Sequence, residues 1–129
     1  MIMTVRGAIP AADLGYTLSH EHLLCDLWRF VRSYDAILND ESIAIQELAE
    51  YKAAGGATVV DVTSGGLGRN PAALRRISDA TGLHIVMGAG WYREPFYDRS
   101  IWERTTNAIA VSISTQVFVP EESVFFAQM

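Results

Sequence analysis

Ala57-Thr58-Val59-Val60-Asp61-Val62-Thr63 is apolar or β-branched at every position but one. A run of this kind reads as a strand buried on both faces, as strands of parallel sheets are. The flanking sequence shows how it is connected. Upstream, Asp40 to Ala54 has a helical pattern: Asp40 is a candidate N-cap and Glu41 suits the positive end of the helix dipole. Ala44, Ile45, Leu48 and Tyr51 fall on one face, and Gly55-Gly56 ends the helix. Downstream, Asn70-Pro71 opens a second helix with Ala73, Leu74, Ile77 and Ala80 as its apolar stripe, and Gly82 stops it. Farther out, Thr17 to His22 alternates as a strand before the first helix, and His84 to Ala89 is a strand after the second. Strand-helix alternation implies parallel strands joined by right-handed crossovers, as in doubly wound sheets and (β/α)8 barrels.

Beyond the third strand comes an aromatic loop, Trp91-Tyr92-Arg93-Glu94-Pro95-Phe96-Tyr97. Ser100 and Glu103 have the spacing of a capping box, which predicts a third helix to about Ile109. The tail differs in character. Val111, Ile113, Val117 and Val119 alternate with a strand period, so residues 111–129 are expected to be an edge strand or an unstructured segment. The organisation is therefore one α/β unit over 1–110 and a divergent tail over 111–129.

Composition narrows the function. The chain has 129 residues, half of them hydrophobic, enough for one domain with a core. The net charge is −5 and there is no basic stripe, which argues against nucleic acid as a partner. No apolar run reaches the ~18 residues of a membrane span. The N-terminus has no basic leader followed by a long apolar segment, so no secretory signal is expected. Cys25 is the only cysteine; it excludes an internal disulfide and suits a cytoplasmic location.

His20-Glu21-His22 is the sharpest chemical feature. Residues two apart on a strand project to one side, and two imidazoles there can ligate one zinc ion at ~2.0–2.1 Å. The pair ends the first strand, the end that carries the chemistry in α/β folds. The plainer reading is a pair of partly buried histidines satisfied by backbone. His84 begins its strand and is expected on the opposite, structural side. Asp61, inside an apolar strand, is either a group orienting a metal-ligating histidine or a carboxylate tied to nearby backbone N–H groups. Ser64-Gly65-Gly66-Leu67-Gly68-Arg69 follows a strand and precedes a helix but fits neither G-x-G-x-x-G nor the P-loop. Trp91 and Tyr92 follow the third strand, and either line an apolar substrate pocket or pack under their own loop. Ser112 and Ser114 lack the nucleophile-elbow context, and Cys25 has no evident base, so no nucleophilic triad is expected.

Thr4-Val5-Arg6-Gly7, Gly15 to His22, Val60-Asp61-Val62-Thr63 and His84 to Gly90, in this order, resemble the phosphotriesterase family of the amidohydrolase superfamily, and its lactonase-like members above all. The resemblance runs over about residues 4 to 110. It implies a (β/α)8 barrel with two metal ions, often zinc, at its C-terminal mouth. It implies that His20 and His22 bind the more buried metal, and that a metal-activated hydroxide attacks a lactone, carboxylic ester or phosphotriester. Tyr92 matches a position where lactonase-like members carry tyrosine. The family site also needs two further histidines, a carboxylated lysine and an aspartate. Here the third histidine is His84 and the one lysine is Lys52, inside a helix. A full barrel takes ~250 residues. The expectation is the N-terminal part of such a barrel, about three strand-helix units with an incomplete binuclear site. Its open sheet edges favour homo-oligomers or aggregation. A non-catalytic interaction module and a different amidohydrolase activity are the alternatives.

Overall fold

Three parallel strands form the central sheet of the computed structural model, which describes residues 1–117. In chain order, a hairpin of β1 (Ile2–Thr4) and β2 (Gly7–Ile9) precedes β3 (Tyr16–Glu21). A short segment follows, with β4 (Cys25–Asp26), α1 (Trp28–Val31) and β5 (Ile37–Leu38). Then come α2 (Glu41–Ala53), β6 (Gly56–Asp61), α3 (Pro71–Thr81), β7 (His84–Met87) and α4 (Thr106–Val117). The sheet order is β3-β6-β7, with both neighbouring pairs parallel. This is the expected mixed α/β arrangement. The sheet is open and does not close into a barrel among the described residues.

Local chemistry sets the helix ends. The Asp40 carboxylate accepts from the N–H groups of Ser42 at 2.8 Å and Ile43 at 3.3 Å, and so caps α2. Asn70 accepts from the N–H of Ala73 at 3.0 Å, with Pro71 at the first position of α3. Gly82 closes α3 in the left-handed conformation at φ 70°. The Lys52 ammonium donates to the Thr81 carbonyl at 2.6 Å, so the one lysine ties the ends of α2 and α3 together.

The core lies between the sheet and these two helices. Leu48, Val59, Leu74, Ile77 and Ile85 are buried there, with Leu18 and Met87 packed against them. Val59 and Ile85 are paired in the sheet and both face the helices. Val60 and Val86, paired on the other face, are only half-buried. The β6 run is therefore fully covered on the helix face and partly on the other, where Thr58 is buried and Val60 half-buried. Ala80 departs from the expected α3 stripe too: it is exposed, while Ser78 and Thr81 are buried. The Ser78 hydroxyl compensates by donating to the Leu83 carbonyl at 2.7 Å.

The C-terminal third corrects two expectations. Ser100 and Glu103 do not cap a helix. Residues Arg99–Glu103 form a 3-10 turn started by Asp98, whose carboxylate accepts from the Ser100 N–H at 2.8 Å. Thr105 is the cap of α4, its hydroxyl accepting from the Ala108 N–H at 3.2 Å. The alternation at 111–117 is helical, not a strand, because α4 runs on to Val117. Its apolar residues do not record a buried strand face: Val111 is 62 % exposed. The rest of the expected tail, 118–129, lies outside the described residues.

Candidate functional site

Parallel strands end on one edge, and at this edge the structure brings together residues from three segments. His20 is in β3 and His22 immediately follows it. Their ring centroids are 5.9 Å apart with the planes 76° apart. His20 is exposed and His22 half-buried.

The facing of the pair depends on an irregularity in β3. Leu18 pairs with Val59, whereas Glu21 pairs with Asp61, so Ser19 and His20 together stand opposite Val60. This bulge shifts the side-chain alternation by one residue. Leu18 points into the helix-side core, and His20 falls on the opposite face. Without the bulge, Leu18 and His20 would share one face.

Buried polar groups fix the orientation of His22. Its Nδ1 is hydrogen-bonded to the Thr63 hydroxyl at 2.9 Å. In the tautomer that donates from Nδ1, Nε2 keeps the lone pair that a metal ion takes. Thr63 is held in turn, its N–H donating to Asp61 at 2.8 Å. The second Asp61 oxygen accepts from the Leu23 N–H at 2.9 Å. Asp61 is fully buried and touches neither imidazole. It is tied to backbone, and it acts on the pair by fixing the chain after His22 and the residue that holds His22. Thr63 is the member that sequence reading missed; its signal was a hydroxyl two residues beyond a buried aspartate.

The loops after β6 and β7 form one rim. Gly65 donates its N–H to the Gly90 carbonyl at 2.7 Å and pairs with Trp91 in an isolated bridge. A Cβ on Gly65 would lie 2.9 Å from both the Gly90 oxygen and the Trp91 ring. Gly66, at φ 88°, packs against Phe96. The glycines of this loop therefore serve close approach between loops, and its N–H groups at Gly65 and Leu67 are already bonded. Cys25, Leu67 and Phe96 make a small second core under the rim. Burial pushes the Cys25 thiol pKa up, with the charges of Asp61 and Asp26 adding to the effect, so this thiol is a poor nucleophile. Trp91 is half-buried and Tyr92 is 48 % exposed, its ring 5.5 Å from that of Phe96. Both aromatics stand on the same edge of the sheet as the histidines, and their packing partners are Gly65 and Phe96.

The donor types are those that part of a zinc site would use. The two imidazole rings are neighbours and one has an orienting partner. Among the described residues, no group of three or more His, Cys, Asp or Glu side chains is placed to hold a metal ion. His84 pairs with Thr58 at the start of β7, the far end of the sheet, and Lys52 is bound to the Thr81 carbonyl. Neither can complete the pair.

Comparison with known proteins gives the family. The profile of the Phosphotriesterase family matches residues 1–124. The phosphotriesterase homology protein of Mycobacterium tuberculosis is 42 % identical over 101 residues, covering 73 % of this chain and 31 % of that protein. The N-acetyltaurine hydrolase of Bos taurus is 31 % identical over 150 residues, covering 93 % and 42 %. Among solved structures, a resiniferatoxin-binding protein from Rhodobacter sphaeroides superposes with a TM-score of 0.82 at 32 % identity, over 90 % of this chain and 41 % of that one. A lactonase from Listeria monocytogenes gives a TM-score of 0.67 at 33 % identity, over 75 % and 30 %. The chain thus spans less than half the length of each of these proteins.

Proposed function

The chain belongs to the phosphotriesterase family, whose members include hydrolases, and we propose that it carries the first-strand share of the active site of a metal-dependent ester hydrolase. The observation that carries this reading is the His20–His22 pair at the C-terminal edge, with His22 held by Thr63. In this reading His20 and His22 are two nitrogen ligands to zinc, and the pair alone makes an incomplete binuclear site. A bound zinc ion supplies Lewis acidity towards the carbonyl or phosphoryl oxygen and lowers the pKa of water. The protein groups do the rest. Thr63 fixes the orientation of the His22 ring, and Asp61 holds Thr63 and the chain at Leu23 in register. Trp91 and Tyr92 supply an apolar wall with a phenol at its open end. The substrate is an ester: a lactone, carboxylic ester or phosphotriester. A cytoplasmic location and self-association through the sheet edges belong to the same proposal.

The test is zinc titration of the purified chain, together with assays on a lactone and a paraoxon-type ester. The expected result is zinc binding that His20→Ala or His22→Ala removes, with little turnover by the chain alone. Two tightly held zinc ions per chain with metal-dependent turnover would overturn the incomplete-site reading. The similarity to an N-acetyltaurine hydrolase favours one second reading, amide hydrolysis at the same site. An N-acyl amide assayed beside the lactone separates the two.

A further inference from the structure

Neither the metal pair nor the sheet uses Arg93. It follows Tyr92 on the loop after β7. Its guanidinium carbon lies 4.1 Å from the centroid of the Phe30 ring and 5.2 Å from that of Tyr92. Phe30 belongs to α1, in the segment after β3, so Arg93 is stacked between two different loops of the rim. Contact with ring faces fixes the plane of a guanidinium but uses none of its N–H donors. The Arg93 Nε is buried and has no hydrogen-bond partner among the described residues, so the donors this side chain can present to a ligand are its terminal Nη groups. Phe30 is 61 % exposed and Tyr92 48 %, so apolar surface beside the guanidinium stays open. Arg93 also shares the rim with the histidine pair: Trp91, two residues before it, bridges to Gly65, two residues after the Thr63 that holds His22.

We propose that Arg93 is a specificity-determining residue of this rim, a binding point for a carboxylate carried by the ligand. A guanidinium held flat offers its two Nη groups as parallel donors, a geometry that a planar carboxylate accepts. The neighbouring Tyr92 ring then takes the apolar chain attached to that carboxylate. This narrows the substrate class of the proposed hydrolase to an acyl compound with an anionic end. The word substrate rests on the hydrolase reading; the binding of a carboxylate does not.

The test uses the full chain, 15N-labelled and without zinc. The Arg93 Nε–H signal is assigned by its loss in Arg93→Gln. Hexanoate is titrated in, with hexanol and sodium chloride as controls at matched ionic strength. The expected result is a saturable shift of this signal with hexanoate and none with either control. Arg93→Gln is expected to weaken hexanoate binding at least tenfold, with Arg93→Lys restoring part of it, because lysine keeps the charge without the fork. An unmoved signal, an equal shift with hexanol or chloride, or undiminished binding by Arg93→Gln would overturn the proposal. Should Arg93→Gln fail to fold, a selectively labelled arginine sample still decides, by whether any buried Nε–H signal follows hexanoate and ignores the controls. Zinc binding at His20 and His22 is read separately, so failure there removes the hydrolase reading and leaves this one intact.

Discussion

Asp61 is fully buried and uses both carboxylate oxygens on backbone N–H groups, those of Leu23 and Thr63. Asp61→Ala would leave two buried donors unpaired, at about 1–3 kcal/mol each. A loss of about 3 kcal/mol in a urea melt is therefore expected, with Asp61→Asn costing less because one oxygen remains. Thr63 is a different kind of residue: its hydroxyl holds one ring. Thr63→Val keeps the shape and removes the hydrogen bond, and zinc affinity is expected to fall about 10–100-fold with little change in stability. Urea melts of the variants and calorimetric zinc titration of Thr63→Val, each beside the parent chain, measure the two effects. At this scale the sequence was informative about residue type and silent about contact. A carboxylate inside an apolar run had to be bonded, and backbone was one of the two partners expected. That its bonds reach the segment after His22 and the residue holding His22 depends on the close approach of two loops, which no local spacing encodes.

Among the elements, helix starts were legible because a cap is a local hydrogen bond. Asp40 and Asn70 show it, each accepting from N–H groups within three residues. Asn70→Ala is expected to cost about 1 kcal/mol, and Asn70→Asp to cost little, as read from the midpoint of urea unfolding. The bulge in β3 was not legible. It arises from register with β6, a partner some 40 residues away in the chain, and alternation within β3 gives no sign of it. Without it His20 would be expected on the face of Leu18. The reading of 111–117 failed for another reason. Period-2 alternation marks a strand only where one face is buried. Val111 at 62 % and Ile113 at 36 % exposure have no such face, so the pattern recorded composition and helix formation prevailed.

At the scale of the molecule, one face of the sheet is sealed by α2 and α3, while β3 and β7 are its outer strands. Beside β3, a cavity of about 490 Å³ opens between the strand and α2, lined by Leu18, Leu23, Ile43 and Leu48. Leu38 at 49 % and Ile43 at 56 % exposure stand at its edge. Unpaired strand edges next to apolar surface favour association. Sedimentation velocity is expected to show species that grow with protein concentration. A single monomer across the range, with one sharp unfolding transition, would show instead that the open sheet is self-sufficient. The α/β class was visible from the strand-helix alternation alone, since each crossover is local. The chain spans 31 % of one relative and 42 % of another, and its described strands leave the sheet open.

The pairing of His20 and His22 as metal ligands is open to direct measurement by zinc K-edge X-ray absorption on the chain loaded with one equivalent of zinc. Two imidazole nitrogens at about 2.0–2.1 Å are expected, and both should vanish from the spectrum of the His20→Ala/His22→Ala double variant. A zinc environment without imidazole, or one that the double variant leaves unchanged, would show that the ion does not bind at the edge of β3.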